Sequence, residues 1–217
     1  MTQDYSSLCN IAGKRLHSLR NEVYLLEVSG TNFVRKKYRT RESFDTELHN
    51  LQLLNGLGLH VPQVIWSEAP FVILSHIPGK TYLEILDEID ADAIHALCDW
   101  LNTYHSVTGS LRMDVNLRNF LYCNGACFSV DFEEPFSPGS PETDIGRLLA
   151  FTATYDPGFT QHKQAVCRLM LDSFLQLGAD LLKITAAYQD ELTAMLQRRP
   201  NPFPCSEETA RGFTSHL

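Results

Sequence analysis

Two patterns of apolar residues divide this chain. From Asn21 to Tyr38 apolar and polar positions alternate among β-formers: Val23-Tyr24-Leu25-Leu26-Glu27-Val28, a Ser29-Gly30 turn, then Asn32-Phe33-Val34-Arg35-Lys36-Lys37-Tyr38. A two-residue period with a turn at its centre predicts a β-hairpin. From Arg41 the spacing becomes helical, with Phe44, Leu48, Leu51 and Leu54 on one stripe, until Gly56 and Gly58 end it. Val61 to Ile65 and Phe71 to Leu74 read as two further short strands, and His76-Ile77-Pro78-Gly79-Lys80 breaks the pattern as a hinge would.

Beyond that break the chain reads as mostly helical. Ala91 to Thr108 is predicted as a helix with Ile94, Leu97, Cys98, Leu101 and Tyr104 on its inner face. Leu111 to Asp131 reads as loop, strand, Asn124-Gly125 turn, strand. Three more helices are expected over 144–155, 160–178 and 179–197, and the tail from Arg198 is weakly patterned. A β-rich lobe over 1–75, a hinge near 75–79 and a helical lobe over 76–217 make an α+β, two-lobe fold.

Composition narrows the class without choosing a function. Of 217 residues, 44% are apolar and 20% charged, enough for a real core in a globular protein. With 18 basic against 26 acidic residues the net charge is −8, which argues against nonspecific nucleic-acid binding. The start, Met-Thr-Gln-Asp-Tyr, has no basic n-region or apolar h-region, and no run approaches a membrane span, so the expected location is cytoplasmic. The cysteines are scattered. Cys123 and Cys127 flank the Asn-Gly turn, and no second Cys/His pair completes a tetrahedral metal site.

The chemistry concentrates in Leu111-Arg112-Met113-Asp114-Val115-Asn116-Leu117-Arg118-Asn119-Phe120 and, twelve residues after Asn119, Val130-Asp131-Phe132-Glu133-Glu134. Magnesium takes carboxylate and amide oxygens, and an acceptor hydroxyl needs a carboxylate within reach to orient it and receive its proton. Asp114-x4-Asn119 on a loop provides both, with Asp131 at the end of an apolar strand as a further carboxylate. On the predicted strand Phe33 to Tyr38, alternation places Lys36 on the face of Val34, and Lys37 on the face of Phe33 and Arg35. Lys36 is therefore the candidate for phosphate contact, and Glu47, eleven residues later on the helix, is its candidate ion-pair partner. Asp144 opens an apolar helix, as a cap or as an acceptor for the backbone of the Asp114 loop. Glu133, Glu134, Glu142 and Asp156 are candidates for an acidic rim that would receive a cationic small molecule.

The order Lys36, Glu47, hinge, Asp114-x4-Asn119, Asp131, Asp144 resembles the protein-kinase-like superfamily over about Asn21 to Asp156. It is most similar to the aminoglycoside and choline phosphotransferase branch, then to small atypical kinases of the RIO and Bud32 type. Glu47-Leu48-His49-Asn50-Leu51-Gln52-Leu53-Leu54 followed by Val61-Pro62 resembles that branch's glutamate helix and next strand. Phe71 to Gly79 is similar to its hinge, where the backbone of Ser75 and Ile77 would hydrogen-bond adenine. The resemblance implies ATP and magnesium as cofactors, Asp114 as base, Asn119 and Asp131 as metal ligands, and Lys36 on the α/β-phosphates. It implies phosphoryl transfer to a hydroxyl acceptor of unknown identity, with a small molecule ahead of a protein. A nucleotide-binding pseudokinase is the alternative. The chain departs from the branch in having Arg112-Met113 where His-Gly usually precedes the aspartate, Phe132-Glu133 after Asp131, and no glycine-rich loop, leaving Gly13 and the Ser18-Leu19-Arg20-Asn21 turn as the only cover for phosphates.

Overall fold

The computed structural model describes residues 5–18 and 20–198, so the weakly patterned tail beyond Arg198 lies outside the described residues. The described residues form two compact units, one drawn from 1–78 and 128–135 and one from 79–127 and 136–217.

The first unit is an antiparallel five-stranded sheet in the order β1-β2-β3-β5-β4, with one long helix. The strands are β1 (Lys14–Arg15), β2 (Glu22–Val28), β3 (Thr31–Lys37), β4 (Val64–Glu68) and β5 (Phe71–Ser75), and the helix is α1 (Arg41–Gly56). Ser29 and Gly30 both take positive φ, 52° and 78°, which is what a two-residue hairpin turn requires. The alternation along β3 sorts its side chains as expected. Phe33 joins Leu8, Leu26 and Ile73 in one apolar cluster, and the Arg35 guanidinium donates to the carbonyls of Leu8, Cys9 and Ile11. A 3₁₀ turn at Tyr5–Asn10 carries Leu8 and Cys9 on that face, with Ile11 just beyond it. Lys36 points the other way and is buried.

Thr40 caps α1 by accepting from the Ser43 amide at 3.2 Å. After α1 the chain enters β4 at Val64, not Val61, because Leu59 and Val61 are themselves buried and Asn55 Nδ2 holds the Pro62 carbonyl at 3.0 Å. The segment 128–135 belongs to this unit, whereas the sequence division placed it with the helical lobe. Asn50 of α1 is the reason: its amide donates to the carbonyls of Phe132 (2.9 Å) and Glu134 (3.0 Å).

The second unit is mainly helical: α2 (Tyr82–Ile85), α3 (Ala91–Thr108), α4 (Pro141–Thr154), α5 (Gln161–Gln176) and α6 (Leu181–Arg198), with short strands β6 (Lys80–Thr81), β7 (Phe120–Cys123) and the first two residues of β8 (Ala126–Ser129). Asp90 caps α3, accepting from the Ala93 amide at 2.8 Å, and Gly109 ends it in the left-handed conformation. Leu97, Leu101, Leu148, Leu149 and Phe174 form its core, all at 1% exposure or less. Helices α4 and α6 approach so closely at Gly146 that a Cβ there would lie 2.6 Å from that of Ala187. Asn124 and Gly125 turn β7 into β8 with φ of 50° and 79°, as the Asn-Gly pair predicts. Cys123 and Cys127 are buried thiols that are not paired in a disulfide. Among the described residues no helix is long and apolar enough to cross a membrane.

Candidate active site

In the first unit the Lys36 ammonium sits among three carboxylates: Glu47 at 2.5 Å, Asp131 at 2.7 Å and Glu133 at 2.7 Å. Each position has a local cause. Strand alternation turns Lys36 inward, and α1 presents Glu47, 1% exposed, from its buried stripe. Asp131 adopts φ 67° just after β8, so its carboxylate turns toward Lys36 while its side chain stays 45% exposed. A non-glycine residue rarely holds this backbone conformation, and such strain collects at functional sites. Lys37 shows the opposite behaviour: its side chain is 44% exposed and reaches Glu22 at 3.6 Å on the other face.

Glu47 is held from three sides. It accepts from Lys36, from the Tyr38 hydroxyl at 2.7 Å and from the Phe132 amide at 3.2 Å. Burial alone would depress the Lys36 ammonium, but Glu47, Asp131 and Glu133 overcome it and hold the lysine protonated well above its ordinary range. Burial pushes the Glu133 carboxyl up, with Lys36 opposing. Among the described residues the carboxylate oxygens of Glu47, Asp131 and Glu133 lie within 4.8 Å of one another. Three carboxylates facing one ammonium leave negative charge in excess, which suits a divalent cation.

The predicted phosphate cover behaves differently from a glycine-rich loop. Gly13 is required by packing, since a Cβ there would meet the Leu25 carbonyl oxygen at 2.5 Å. Arg20 pairs with Glu134 at 3.1 Å, and the buried Asn21 amide donates to Glu133. A cavity of about 430 Å³ opens here, with Arg20, Asn21, Arg39 and Glu133 in its wall. Of the four acids expected to form an acidic rim, three have partners within the chain and Asp156 is exposed. Glu133 has an 8% exposed side chain committed to Lys36, and Glu134 is paired with Arg20. Glu142 accepts from the Ser140 hydroxyl and, at 3.1 Å, from the Asp180 amide.

At the predicted hinge, the Ser75 amide donates to the Gln63 carbonyl at 2.9 Å, and the Gln63 amide donates to the Ser75 hydroxyl at 2.9 Å. The Ser75 N–H is therefore used inside the sheet. Ile77, just after β5, is half-buried.

In the second unit the Asp114 loop is wound tightly. Asn116 Nδ2 donates to the Asp114 carboxylate, and its Oδ1 accepts from the Arg118 amide at 3.0 Å. The Asn119 amide donates to the Asn116 carbonyl at 3.0 Å, and Asn119 Nδ2 donates to the Asp114 carbonyl at 3.2 Å. That bond fixes which end of the Asn119 amide is nitrogen, and the opposite end is the oxygen a metal would take.

The residues before Asp114 hold the loop's shape by means the sequence hides. Met113 takes φ 66°, the conformation for which glycine is the default. The Asp144 carboxylate, fully buried, accepts from the Arg112 amide at 2.6 Å and the Met113 amide at 3.1 Å. It also meets His105 Nε2 of α3 at 2.9 Å. Asp144 thus fixes the loop backbone, one of its two sequence readings; it is not the cap of α4, whose Ser140 makes no capping bond. Sequence reasoning did not find Tyr38 or His105, whose roles depend on the distant partners Glu47 and Asp144, nor Asn116, whose partners Asp114 and Arg118 lie two residues away on either side.

Among known proteins, no family model and no curated sequence matches this chain. Solved structures do. The ADP-bound aminoglycoside phosphotransferase APH(2'')-Ib is 15% identical with a TM-score of 0.68, covering 98% of this chain and 95% of that one. The streptomycin–ATP–APH(2'')-IIa ternary complex is 15% identical with a TM-score of 0.65, covering 89% of each chain. WaaP in complex with acyl carrier protein is 14% identical with a TM-score of 0.58, covering 90% and 91%. The chain therefore has the protein-kinase-like, α+β fold expected from its sequence.

Proposed function

We propose that this protein is an ATP- and magnesium-dependent phosphotransferase that moves the γ-phosphoryl group to a hydroxyl acceptor, a small molecule in the first instance. The observation that carries this reading is the buried Lys36 ammonium, held by Glu47 on one side and turned toward the exposed Asp131 on the other. The nucleotides in the APH(2'') structures support the same reading. Lys36 binds the α/β-phosphates, with Glu47 fixing its direction. Ser75 offers its carbonyl and Ile77 its backbone to the adenine. Asp114, aimed by Asn116, orients the acceptor hydroxyl and takes its proton. Asp131 and Asn119 would hold magnesium through a carboxylate and an amide oxygen, and the ion would neutralise charge on the transferred phosphoryl group. Positioning and electrostatics supply most of the rate in such a transfer.

Two other readings stay within the same fold. A protein acceptor would make the chain an atypical Ser/Thr kinase of the RIO or Bud32 kind. Arg112-Met113 in place of His-Gly motivates a nucleotide-sensing module without turnover, but the Met113 backbone and the Asp144 contacts keep the loop in order without that pair.

Calorimetric titration with a non-hydrolysable ATP analogue tests the nucleotide site. One analogue should bind per chain, more tightly with magnesium than without. Asp131→Asn should remove the magnesium effect, and its side chain is exposed enough for the fold to survive. Binding that ignores both magnesium and Asp131→Asn would sink the proposal.

A further inference from the structure

Between α4 (Pro141–Thr154) and α5 (Gln161–Gln176) the chain makes a tight corner. Tyr155 stands at its start, and the Tyr155 hydroxyl accepts from the Leu117 amide at 3.1 Å. Leu117 lies in the middle of the loop from Asp114 to Asn119 and is completely buried. The Arg118 guanidinium lies 6.0 Å from the centre of the Tyr155 ring. Asn116 and Asn119 bind the loop from within, whereas Tyr155 grips it from another element.

What holds Tyr155 in place is costly by itself. Lys163, in the first turn of α5, is 1% exposed. A cation at a helix N-terminus faces the positive end of the helix dipole, and a buried charge without partners is expensive. Its ammonium donates to the carbonyls of Tyr155 at 2.5 Å and Pro157 at 2.6 Å. Burial lowers the lysine's affinity for its proton, and the carboxylates of Asp87 and Asp156 oppose that. The start of α5 is tied down further by His162 Nε2 against the Leu86 carbonyl at 2.8 Å. A buried lysine spending its donors on two carbonyls of one corner fixes the path of that corner. Its first residue is the one whose hydroxyl meets Leu117.

We infer that Tyr155 is a positioning residue for phosphoryl transfer, and that Lys163 clamps the α4–α5 corner so that the Tyr155 hydroxyl fixes the loop between Asp114 and Asn119. The inference rests on the phosphotransferase reading for its catalytic consequence but not for the clamp itself. Misplacing a reacting group by about 1 Å can cost on the order of 100-fold in rate. Tyr155→Phe keeps the ring and removes only the hydroxyl, so it is the decisive variant; Lys163→Met, which removes the buried ammonium, serves as a second one.

The experiment pairs steady-state ATP turnover with amide hydrogen exchange over residues 115–120, both on the full chain. Tyr155→Phe should lower kcat at least tenfold, leave KM for ATP within twofold, and speed exchange of the Leu117 amide at least tenfold. Lys163→Met, if folded, should repeat that pattern more weakly. Unchanged Leu117 exchange in Tyr155→Phe would overturn the clamp, and faster exchange with kcat within twofold of the parent would overturn the positioning role. A parent chain that binds nucleotide without turning it over would count against the phosphotransferase reading and against a catalytic consequence for Tyr155. The exchange data would still decide the clamp.

Discussion

Asp144→Asn removes the one charge that holds the backbone just before Asp114. The carboxylate is fully buried and meets three donors: the amides of Arg112 and Met113, and His105 Nε2. Asparagine keeps one oxygen, so its NH₂ group must face at least one donor that then has no acceptor. Hydrogen bonds to a charged group contribute about 1.5–3 kcal/mol each, and a buried donor left unmade costs about 1–3 kcal/mol. Together these predict a loss of roughly 3–5 kcal/mol, the range expected on breaking a buried charged contact. That is a large share of a total stability of about 5–15 kcal/mol. Urea unfolding followed by Trp100 fluorescence in a Trp66→Phe background reads the second unit, where Trp100 is buried on α3. With a slope of about 2 kcal/mol per molar urea, the midpoint should fall by about 2 M. Asp99→Asn, an exposed acid on the same helix, should stay within about 0.5 kcal/mol as a control. A midpoint for Asp144→Asn as close to the parent as that control's would refute the reasoning.

Met113→Gly places the residue suited to φ 66° where methionine now sits, and should raise stability by roughly 1 kcal/mol in the same urea assay. A loss greater than that would show that the Arg147 contact with the Met113 sulfur, at 3.6 Å, outweighs the strain. Glu133→Gln tests the crowded carboxylates by pH. Burial, opposed by Lys36, raises the Glu133 carboxyl above its ordinary 4.5 in the folded chain. The folded state then keeps a proton that the unfolded state releases first, so this group's contribution to stability declines as pH rises above 4.5. The urea midpoint of Glu133→Gln relative to the parent should improve from pH 4.5 upward and level off above the folded-state value. A difference that is flat or reversed with pH would rule this out.

Periodicity made much of this fold legible. The two-residue alternation that separated Lys36 from Lys37 is a direct consequence of strand geometry, whereas Glu47 lies outside the apolar stripe of Phe44, Leu48, Leu51 and Leu54, and its burial on α1 is visible only in the fold. Residues 91–108 read as a helix because Ile94, Leu97, Cys98, Leu101 and Tyr104 form a clear stripe, to which the structure adds the Asp90 cap and the Gly109 stop. The 3₁₀ turn at Tyr5–Asn10 and the two-residue strand β1 are too short to carry a period. Glu133 looked like a surface acid because its partner Lys36 is nearly a hundred residues away, and the positive φ at Asp131 redirects everything after it. Met113 was the subtlest case. Sequence suggests a lost glycine, whereas the backbone keeps the glycine conformation, held by bonds to Asp144. Pattern reveals which face a side chain takes, and remote hydrogen bonds decide what that face becomes.

The central claim is that this chain turns over ATP using Asp114. Following the phosphorus resonances of magnesium-ATP by NMR reads that directly, with water as the default acceptor. The parent chain should consume the γ-phosphate resonance and produce ADP, and Asp114→Asn should slow this by about 100-fold or more while still binding the nucleotide. A parent that binds ATP and leaves it intact, or an Asp114→Asn variant as fast as the parent, would contradict the account.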